Sequence, residues 1–244
     1  MDPKKRIEII QSWISTYVNE MPKKAQSLVV GVSGGIDSAV VSTISAMTGI
    51  KTIVLSMPIK QIKDQDDLSK LHCNWLQKNF KNTEYLNINL DETFSKFEDA
   101  LGKNDNEHAF ANSRARLRMT TLYQVAGSNH GIVVGTGNKV EDFGVGFYTK
   151  YGDGGVDISP IADCTKTQVW EMGRYLKIDQ KIIDAPPTDG LWVDGRNDED
   201  QLGMTYQELE EAMENPQSKN YEKYLKIREN NFHKMKEIPV CKFN

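Results

Sequence analysis

An aspartate and a serine follow a Gly-Gly turn in the stretch SGGIDS, where Asp37 and Ser38 come after Gly34 and Gly35. The turn stands directly after the apolar run Leu28–Val32 and before an apolar stretch at helical spacing. At a junction of strand and helix, unpaired backbone N–H groups and the positive end of the helix dipole attract an anion such as phosphate. Adjacent glycines let the main chain approach phosphate oxygens closely. The spacing therefore predicts a phosphate-binding turn.

The aspartate in this turn indicates a metal. A carboxylate repels phosphate groups unless a divalent cation lies between them, and magnesium prefers oxygen ligands and keeps phosphate in its shell. A Walker loop has Lys before its Ser or Thr, whereas here Asp37 precedes Ser38. We therefore predict Mg²⁺ on Asp37. The alternative is a tight turn in which Asp37 and Ser38 are ordinary first-turn helix residues.

Strand and helix patterns alternate around this turn. Short runs rich in β-branched residues predict strands at Leu28–Val32, Lys51–Met57, Glu84–Ile88 and Gly131–Gly135. Helical periodicity predicts an amphipathic first helix and further helices at Ser38–Met47, Asp64–Asn79, Leu90–Leu101 and Phe110–Ser128. This order predicts an α/β fold with a doubly wound, mostly parallel sheet and helices on both faces. Such sheets bind ligands at the carboxyl ends of their strands, where the turn stands.

The second half of the chain contains more loop. FGVGFYTKYGDGGVDISP is rich in glycine and predicts either a loop that lines a site or a mobile segment. A helix is predicted at Thr165–Leu176 with Thr165 as its N-cap. TYQELEEAMENP and NYEKYLKIRENNFHKMK predict two final helices, and Thr205 and Glu208 in the first are spaced as a capping box. Residues 184–203 predict a long loop of the kind that often forms a lid, with Trp192 packing when it closes.

Composition sets the class of protein. The chain has 244 residues, 26% of them charged, with a net charge of −4, which is typical of one globular domain over residues 1–244 and gives no nucleic-acid footprint. No stretch approaches the length of a membrane span. The cysteines Cys73, Cys164 and Cys241 are widely spaced, so a disulfide framework or a zinc ribbon is not expected. A reducing cytoplasm is the expected location.

SGGIDS resembles the pyrophosphate loop of the N-type ATP pyrophosphatases, which have an adenine nucleotide alpha-hydrolase-like fold. The stretches NSRARLRMTTLYQVAG, GIVVGTGNKVEDFGVGFYTKYGDGGVDISPIADCTKTQVW and APPTDGLWVDGRNDEDQLGMTYQELE resemble the ammonia-dependent NAD synthetases in order and spacing. The resemblance implies that ATP adenylates the carboxylate of deamido-NAD and that ammonia then displaces AMP to give NAD. It also implies magnesium as cofactor and a homodimer. Free ammonia is expected as nitrogen donor, because no glutaminase signature is present.

The resemblance assigns the residues around ATP. It places ATP contacts at Gly31, Val32, Ser33, Gly34, Gly35, Ile36, Asp37, Ser38, Thr136, Lys166 and Thr188. Glu141 is then the second protein ligand of magnesium, and Asp37, Glu141, Lys166 and Asp157 form the catalytic set. Without the resemblance, Thr136 is equally a turn residue and Glu141 a solvated helix charge.

A second set is assigned to the other substrate. The resemblance places deamido-NAD contacts at Arg116, Lys150, Asp157, His233 and Lys234. Arg114 and Arg118 lie two positions from Arg116 on an inferred helix, so the three arginines cannot share a face, and the other two are expected to be solvated. Without the resemblance, Lys150 and Asp157 are exposed loop charges. Asp157 is only a candidate for the group that deprotonates ammonium.

Two other functions stay open on the sequence. A tRNA-modifying adenylase of the same superfamily would need a basic extension or paired cysteines, which the acidic balance disfavours. A nucleotide-binding module without chemistry would leave the pairing of Asp37 with Glu141 unexplained. AMP formation that depends on the acceptor separates these possibilities.

Overall fold

The computed structural model describes residues 1–188, 190–191 and 197–243. The strands are β1 (Ser27–Gly31), β2 (Lys51–Ser56), β3 (Thr83–Asn87) and β4 (Gly131–Val133). The helices are α1 (Pro3–Glu20), α2 (Ile36–Met47), α3 (Lys63–Asn79), α4 (Asp91–Leu101), α5 (Glu107–Ser128), α6 (Lys166–Tyr175), α7 (Gln180–Ile183), α8 (Asp198–Leu202), α9 (Tyr206–Glu214) and α10 (Tyr221–Met235). A π-helix spans Lys139–Val145.

The four strands form one parallel sheet in the order β3-β2-β1-β4. β1 lies inside the sheet, with Val29 opposite Ile53 of β2 and Val133 of β4. The chain leaves β1 toward β2 and β3 and later returns to the other side of β1 as β4. The carboxyl ends of β1 and β4 therefore flank a topological switch point, where sheets of this kind bind ligands.

Helices cover both faces of the sheet, as the sequence predicts. Leu28 and Val30 of β1 lie in a core with residues of α1, α2 and α6. Val29 points to the opposite face and packs with Phe94 of α4 and Ala126 of α5. Alternate residues of one strand thus enter separate cores, because successive side chains of a strand point to opposite faces. The doubly wound α/β arrangement is confirmed.

A third core lies beyond the carboxyl end of β4. Val140 and Val145 of the π-helix pack against Tyr206 and Leu209 of α9 and Tyr224 of α10. This packing holds the π-helix in place over the sheet edge. The C-terminal helices therefore support the segment that carries Glu141.

Most helix ends predicted from the sequence lie within one to three residues of the observed ends. Thr165 caps α6 and Thr205 caps α9, each in a complete capping box, as predicted. Two loop predictions were wrong in part. Residues 143–145 of the predicted loop 143–160 belong to the π-helix Lys139–Val145. Part of the predicted loop 184–203 is α8, which begins because the Asn197 side chain accepts a hydrogen bond from the backbone of Asp200.

The predicted closure of the lid, including packing of Trp192, falls on residues 189 and 192–196, which lie outside the described residues. Across the part of the chain that the structure describes, no helix combines the length and apolar character needed to cross a bilayer.

Candidate active site

The turn after β1 is held by its own serines. The Ser38 hydroxyl accepts a hydrogen bond from the Ser33 backbone at 3.1 Å and donates to the Gly35 carbonyl at 3.0 Å. Gly34 has φ +92°, and a Cβ there would come within 2.6 Å of the Gln65 carbonyl oxygen, so only glycine fits. Gly35 is the N-cap of α2, so the turn leads directly into the N-terminus of that helix. This is the geometry of an anion-binding turn.

A cavity opens at this turn, between the carboxyl ends of β1 and β4. Ten of the eleven residues predicted to contact ATP line it: Gly31, Val32, Ser33, Gly35, Ile36, Asp37, Ser38, Thr136, Lys166 and Thr188. Gly34 is buried behind the turn and is not among the lining residues. The structure therefore gathers segments that are up to 157 positions apart (Gly31 and Thr188) around one space.

Three charged side chains form a cluster on the wall of this cavity. The Lys166 Nζ atom lies 2.6 Å from Asp37 Oδ2 and 2.8 Å from Glu141 Oε1. The Lys166 side chain is only 3% exposed, and the two carboxylates are 16% and 15% exposed. Glu141 is thus not the solvated helix charge of the alternative interpretation. Both carboxylates are aimed at a single point, which the ammonium group occupies.

Burial and charge act together on this cluster. Burial raises the pKa of the Asp37 carboxyl, and the attraction of Lys166 offsets this only in part. Burial acts on Glu141 as well, but attraction and hydrogen bonds from Lys166 and Tyr206 bring the pKa of that carboxyl below its usual value. Burial alone would lower the pKa of Lys166, whereas the two carboxylates hold it well above its ordinary range. The two carboxyl groups therefore favour the charged form of Lys166.

Asn138 connects the two carboxylates through the backbone. Its side-chain oxygen accepts hydrogen bonds from the backbone N–H groups of Val140 and Glu141, at 2.9 and 3.0 Å, and so caps the π-helix. Its amide nitrogen donates to Asp37 Oδ1 at 3.4 Å. Asn138 is fully buried, so this link is shielded from water. It fixes the start of the Glu141 segment relative to the turn.

The arginines of α5 depart from the prediction. Arg114 and Arg118 are four positions apart and share a face of the helix, whereas Arg116 points elsewhere and is exposed. Arg114 is buried and donates a hydrogen bond to the Leu191 carbonyl. Arg118 lines the cavity and donates to the Met57 carbonyl at 3.0 Å. The expectation that both are solvated was wrong, because their face of α5 turns toward the cavity and the segment beside it.

The five residues assigned to deamido-NAD lie outside the cavity. None of them is among the described residues that line it. Arg116 donates from Nε to the Lys150 carbonyl at 3.2 Å. The exposed Asp157 accepts hydrogen bonds from the Val133 backbone at 2.7 Å and the Tyr123 hydroxyl at 3.1 Å.

The two C-terminal residues of this set, His233 and Lys234, differ in exposure. His233 is exposed on α10, and Lys234 is half-buried. The Lys234 ammonium donates to the Tyr148 carbonyl at 2.8 Å and lies 5.1 Å from the centre of the Tyr148 ring. The Gly152, Asp153 and Gly155 positions, which lie between Lys150 and Asp157 in the sequence, do line the cavity.

Sequence reasoning missed several residues of the site, among them Asn138, Arg118 and Tyr206. Asn138 was detectable, since an Asn just after a strand is a common N-cap. Arg118 was detectable from its spacing of four from Arg114. Tyr206 gave no signal, because its contact with Glu141 joins positions 65 apart in the sequence.

A parallel sheet with an anion-binding turn at its switch point and a largely buried pair of carboxylates is typical of nucleotide-binding enzymes of the adenine nucleotide alpha-hydrolase-like class. A family model described as NAD synthase matches residues 6–242. The ammonia-dependent NAD⁺ synthetase of Carboxydothermus hydrogenoformans is 39% identical over 211 residues, which cover 84% of this chain and 83% of the relative. That of Alkaliphilus metalliredigens is 38% identical, covering 86% and 85%. The chain belongs to the NAD synthase family.

Solved structures agree with this assignment. The NMN synthetase of Francisella tularensis matches with a TM-score of 0.91 and 32% identity, and the match covers 100% of both chains. The ammonia-dependent NAD synthetase of Campylobacter jejuni, solved with a nitrate ion, matches with a TM-score of 0.79 and 25% identity over 99% of this chain and 100% of that chain. Members of the family named as synthetases are ligases that form a carbon–nitrogen bond.

Proposed function

We propose that this chain is a cytoplasmic enzyme, with residues 1–244 as one catalytic domain, that amidates deamido-NAD with ammonia. ATP is consumed, and the products are NAD, AMP and pyrophosphate. The observation that carries the proposal is the buried cluster of Asp37, Lys166 and Glu141 beside an anion-binding turn. Family membership supports the same reaction.

The carboxylates fit magnesium. Both converge on one cation, and hard oxygen donors are what Mg²⁺ prefers. Among the described residues no group of three His, Cys, Asp or Glu side chains is arranged to hold a metal, so phosphate and water oxygens would complete the shell. Asp37 and Glu141 would hold the ion, which would neutralise charge on the phosphates. The Lys166 ammonium would then face the phosphates instead of the carboxylates.

The reaction proceeds in two transfers. The carboxylate oxygen of the substrate forms a bond to the α-phosphorus of ATP, and the bond from that phosphorus to the bridging oxygen of the β-phosphate breaks. The turn from Ser33 to Ser38 and Lys166 stabilise the negative charge that collects on the departing pyrophosphate. Ammonia then attacks the carbonyl carbon of the mixed anhydride, AMP leaves with the electron pair, and the nitrogen loses a proton.

The five residues assigned to deamido-NAD form what we call the outer surface, and this surface positions the dinucleotide. The exposed Arg116 offers a planar fork of donors suited to phosphate or carboxylate. Lys150, Asp157, His233 and Lys234 complete the proposed binding surface. We further propose a homodimer in which this surface lies near the partner copy.

A second candidate differs in the substrate. The protein of Francisella tularensis is named an NMN synthetase, and its match in shape is fuller than that of the Campylobacter jejuni enzyme, with TM-scores of 0.91 and 0.79. The same two transfers on nicotinate mononucleotide would give NMN. The cavity would act identically, and only the outer surface would have a smaller ligand to hold.

Product analysis tests both candidates. Purified protein with ATP, Mg²⁺ and ammonia is expected to release AMP and pyrophosphate only when an acceptor is added. The ratio of kcat/KM for deamido-NAD and nicotinate mononucleotide identifies the physiological substrate. Release of ADP and phosphate, or AMP release that is independent of acceptor, would reject both.

Asp37→Ala tests the carboxylate cluster directly. Loss of one magnesium ligand is expected to reduce pyrophosphate release at least a thousandfold, which corresponds to about 4 kcal/mol of transition-state stabilisation. Asp163→Asn is the matched control, since Asp163 is 96% exposed and pairs with Lys139 instead of with a member of the cluster. Normal turnover by the Asp37 variant would contradict the assignment.

A further inference from the structure

Tyr206 contacts the charged cluster but is not one of the residues assigned to ATP, magnesium or deamido-NAD. It is fully buried at the start of α9. Its hydroxyl donates to Glu141 Oε1 at 2.5 Å and also lies 3.2 Å from Asp198 Oδ2. A buried hydroxyl at this distance from a carboxylate makes a strong, charge-assisted hydrogen bond.

The ring of the same residue faces the cation. Lys166 Nζ lies 4.9 Å from the centre of the Tyr206 ring, within the range of a cation–π contact. Trp170 packs edge-on against the ring, at 84° and 5.8 Å between centroids. Tyr206 therefore contacts the acid through its hydroxyl and the ammonium group through its ring.

Neighbouring contacts hold Tyr206 in this position. The capping box of Thr205 fixes the first turn of α9, and the Tyr206 backbone N–H donates to Glu199 Oε1 at 3.0 Å. The side chain belongs to the third core, with Val140 of the π-helix. Its hydroxyl is thus fixed relative to Glu141 by packing on both sides.

We propose that Tyr206 is a positioning residue for the magnesium site. Its hydroxyl keeps the Glu141 carboxylate aimed at the point shared with Asp37, and its ring keeps the Lys166 ammonium close when a metal takes that point. This inference rests on the proposed function, because it assigns Glu141 to magnesium.

Tyr206→Phe removes the hydroxyl and keeps the ring. ATP binding is measured by calorimetry without acceptor, as a function of Mg²⁺ concentration. The half-saturating Mg²⁺ concentration is expected to rise about tenfold, while kcat at saturating Mg²⁺ stays within about twofold. ATP binding in EDTA is expected to be unchanged.

Tyr224→Phe is the matched control. Tyr224 is also buried in the third core, but its hydroxyl donates to the Gly144 carbonyl at 3.4 Å instead of to an acid. This variant is expected to keep the Mg²⁺ dependence of the unsubstituted protein. An equal change in both variants would reduce Tyr206 to a packing residue and overturn the proposal.

Thermal melts in EDTA give a readout that does not need the metal. Tyr206→Phe, Glu141→Gln and the double variant are compared, and the double variant is expected to lose less than the sum of the single losses, because the two groups share one hydrogen bond. Additive losses would overturn the proposal. Failure of the unsubstituted protein to bind ATP in a Mg²⁺-dependent way would instead reject the proposed function, which separates the two failures.

Discussion

The charged cluster and the outer surface neutralise their charges in different ways. Lys166 is buried between Asp37 and Glu141, so the charged groups of the cluster are paired with one another within the protein. Arg116 is exposed and donates to the Lys150 backbone carbonyl, so water screens its charge. A buried cluster of paired charges is fixed in geometry and suits the chemistry common to the family. An exposed surface screened by water can adapt and suits the choice of substrate.

Lys166→Met gives the largest effect expected from this comparison. It leaves two buried carboxylates facing each other without a cation, and breaking a buried ion pair costs about 3–5 kcal/mol. For a chain of this length that corresponds to a loss of roughly 10 °C in Tm. The loss is measured by thermal melts in EDTA, and Mg²⁺ is expected to recover much of it by supplying the missing positive charge.

Lys139→Met is the control for that measurement. Lys139 pairs with Asp163 at 2.9 Å, but their side chains are 41% and 96% exposed. Exposed pairs contribute at most about 1 kcal/mol, so Tm is expected to change little and to be insensitive to Mg²⁺. If the two variants melt alike, the buried pairing of charges in the cluster does not stabilise the protein and the contrast fails.

The two regions also differ in what the sequence could predict. The turn was predictable because β1, the glycines and α2 are contiguous over residues 27–47, so local rules fix their geometry. The capping boxes at Thr165 and Thr205 are local for the same reason. The positions of Arg114 and Tyr206 depend on which faces of α5 and α9 turn toward the site. Packing joins distant segments, and no short-range spacing encodes it.

Arg116→Ala gives an intermediate effect on the outer surface. Losing one charged hydrogen-bond donor to the substrate costs about 1.5–3 kcal/mol, so KM for the nicotinate nucleotide is expected to rise about tenfold or more. KM for ATP and kcat are expected to stay within about twofold, because the cavity is untouched. Steady-state kinetics with each substrate varied in turn measures this.

Arg174→Ala is the matched control, because Arg174 is an exposed arginine in the last turn of α6. It is expected to leave both KM values unchanged. A fall in kcat with unchanged KM for Arg116→Ala would place Arg116 in the chemical step and erase the division between the regions.

Tyr123→Phe gives the smallest effect and tests how Asp157 is used. Burial, together with the Asp157 carboxylate that accepts the hydrogen bond from its hydroxyl, raises the pKa of Tyr123 to about 12, from an ordinary value near 10. Above pH 10 the unfolded chain therefore releases this proton before the folded chain does, and stability falls between pH 10 and 12. The substituted chain lacks this loss, so its Tm is expected to fall less steeply over that range.

The same variant distinguishes two roles for Asp157. One carboxylate oxygen accepts from the backbone of Val133 in β4 and the other from Tyr123 in α5, which is the arrangement of a structural link between strand and helix. If Asp157 acts as that link, turnover at pH 8 is expected to stay within about twofold after Tyr123→Phe, because the strand contact persists. A large change in the pH dependence of kcat would instead show that the hydroxyl tunes a proton acceptor. Asp157 would then belong with the chemistry of the cavity despite its position on the outer surface.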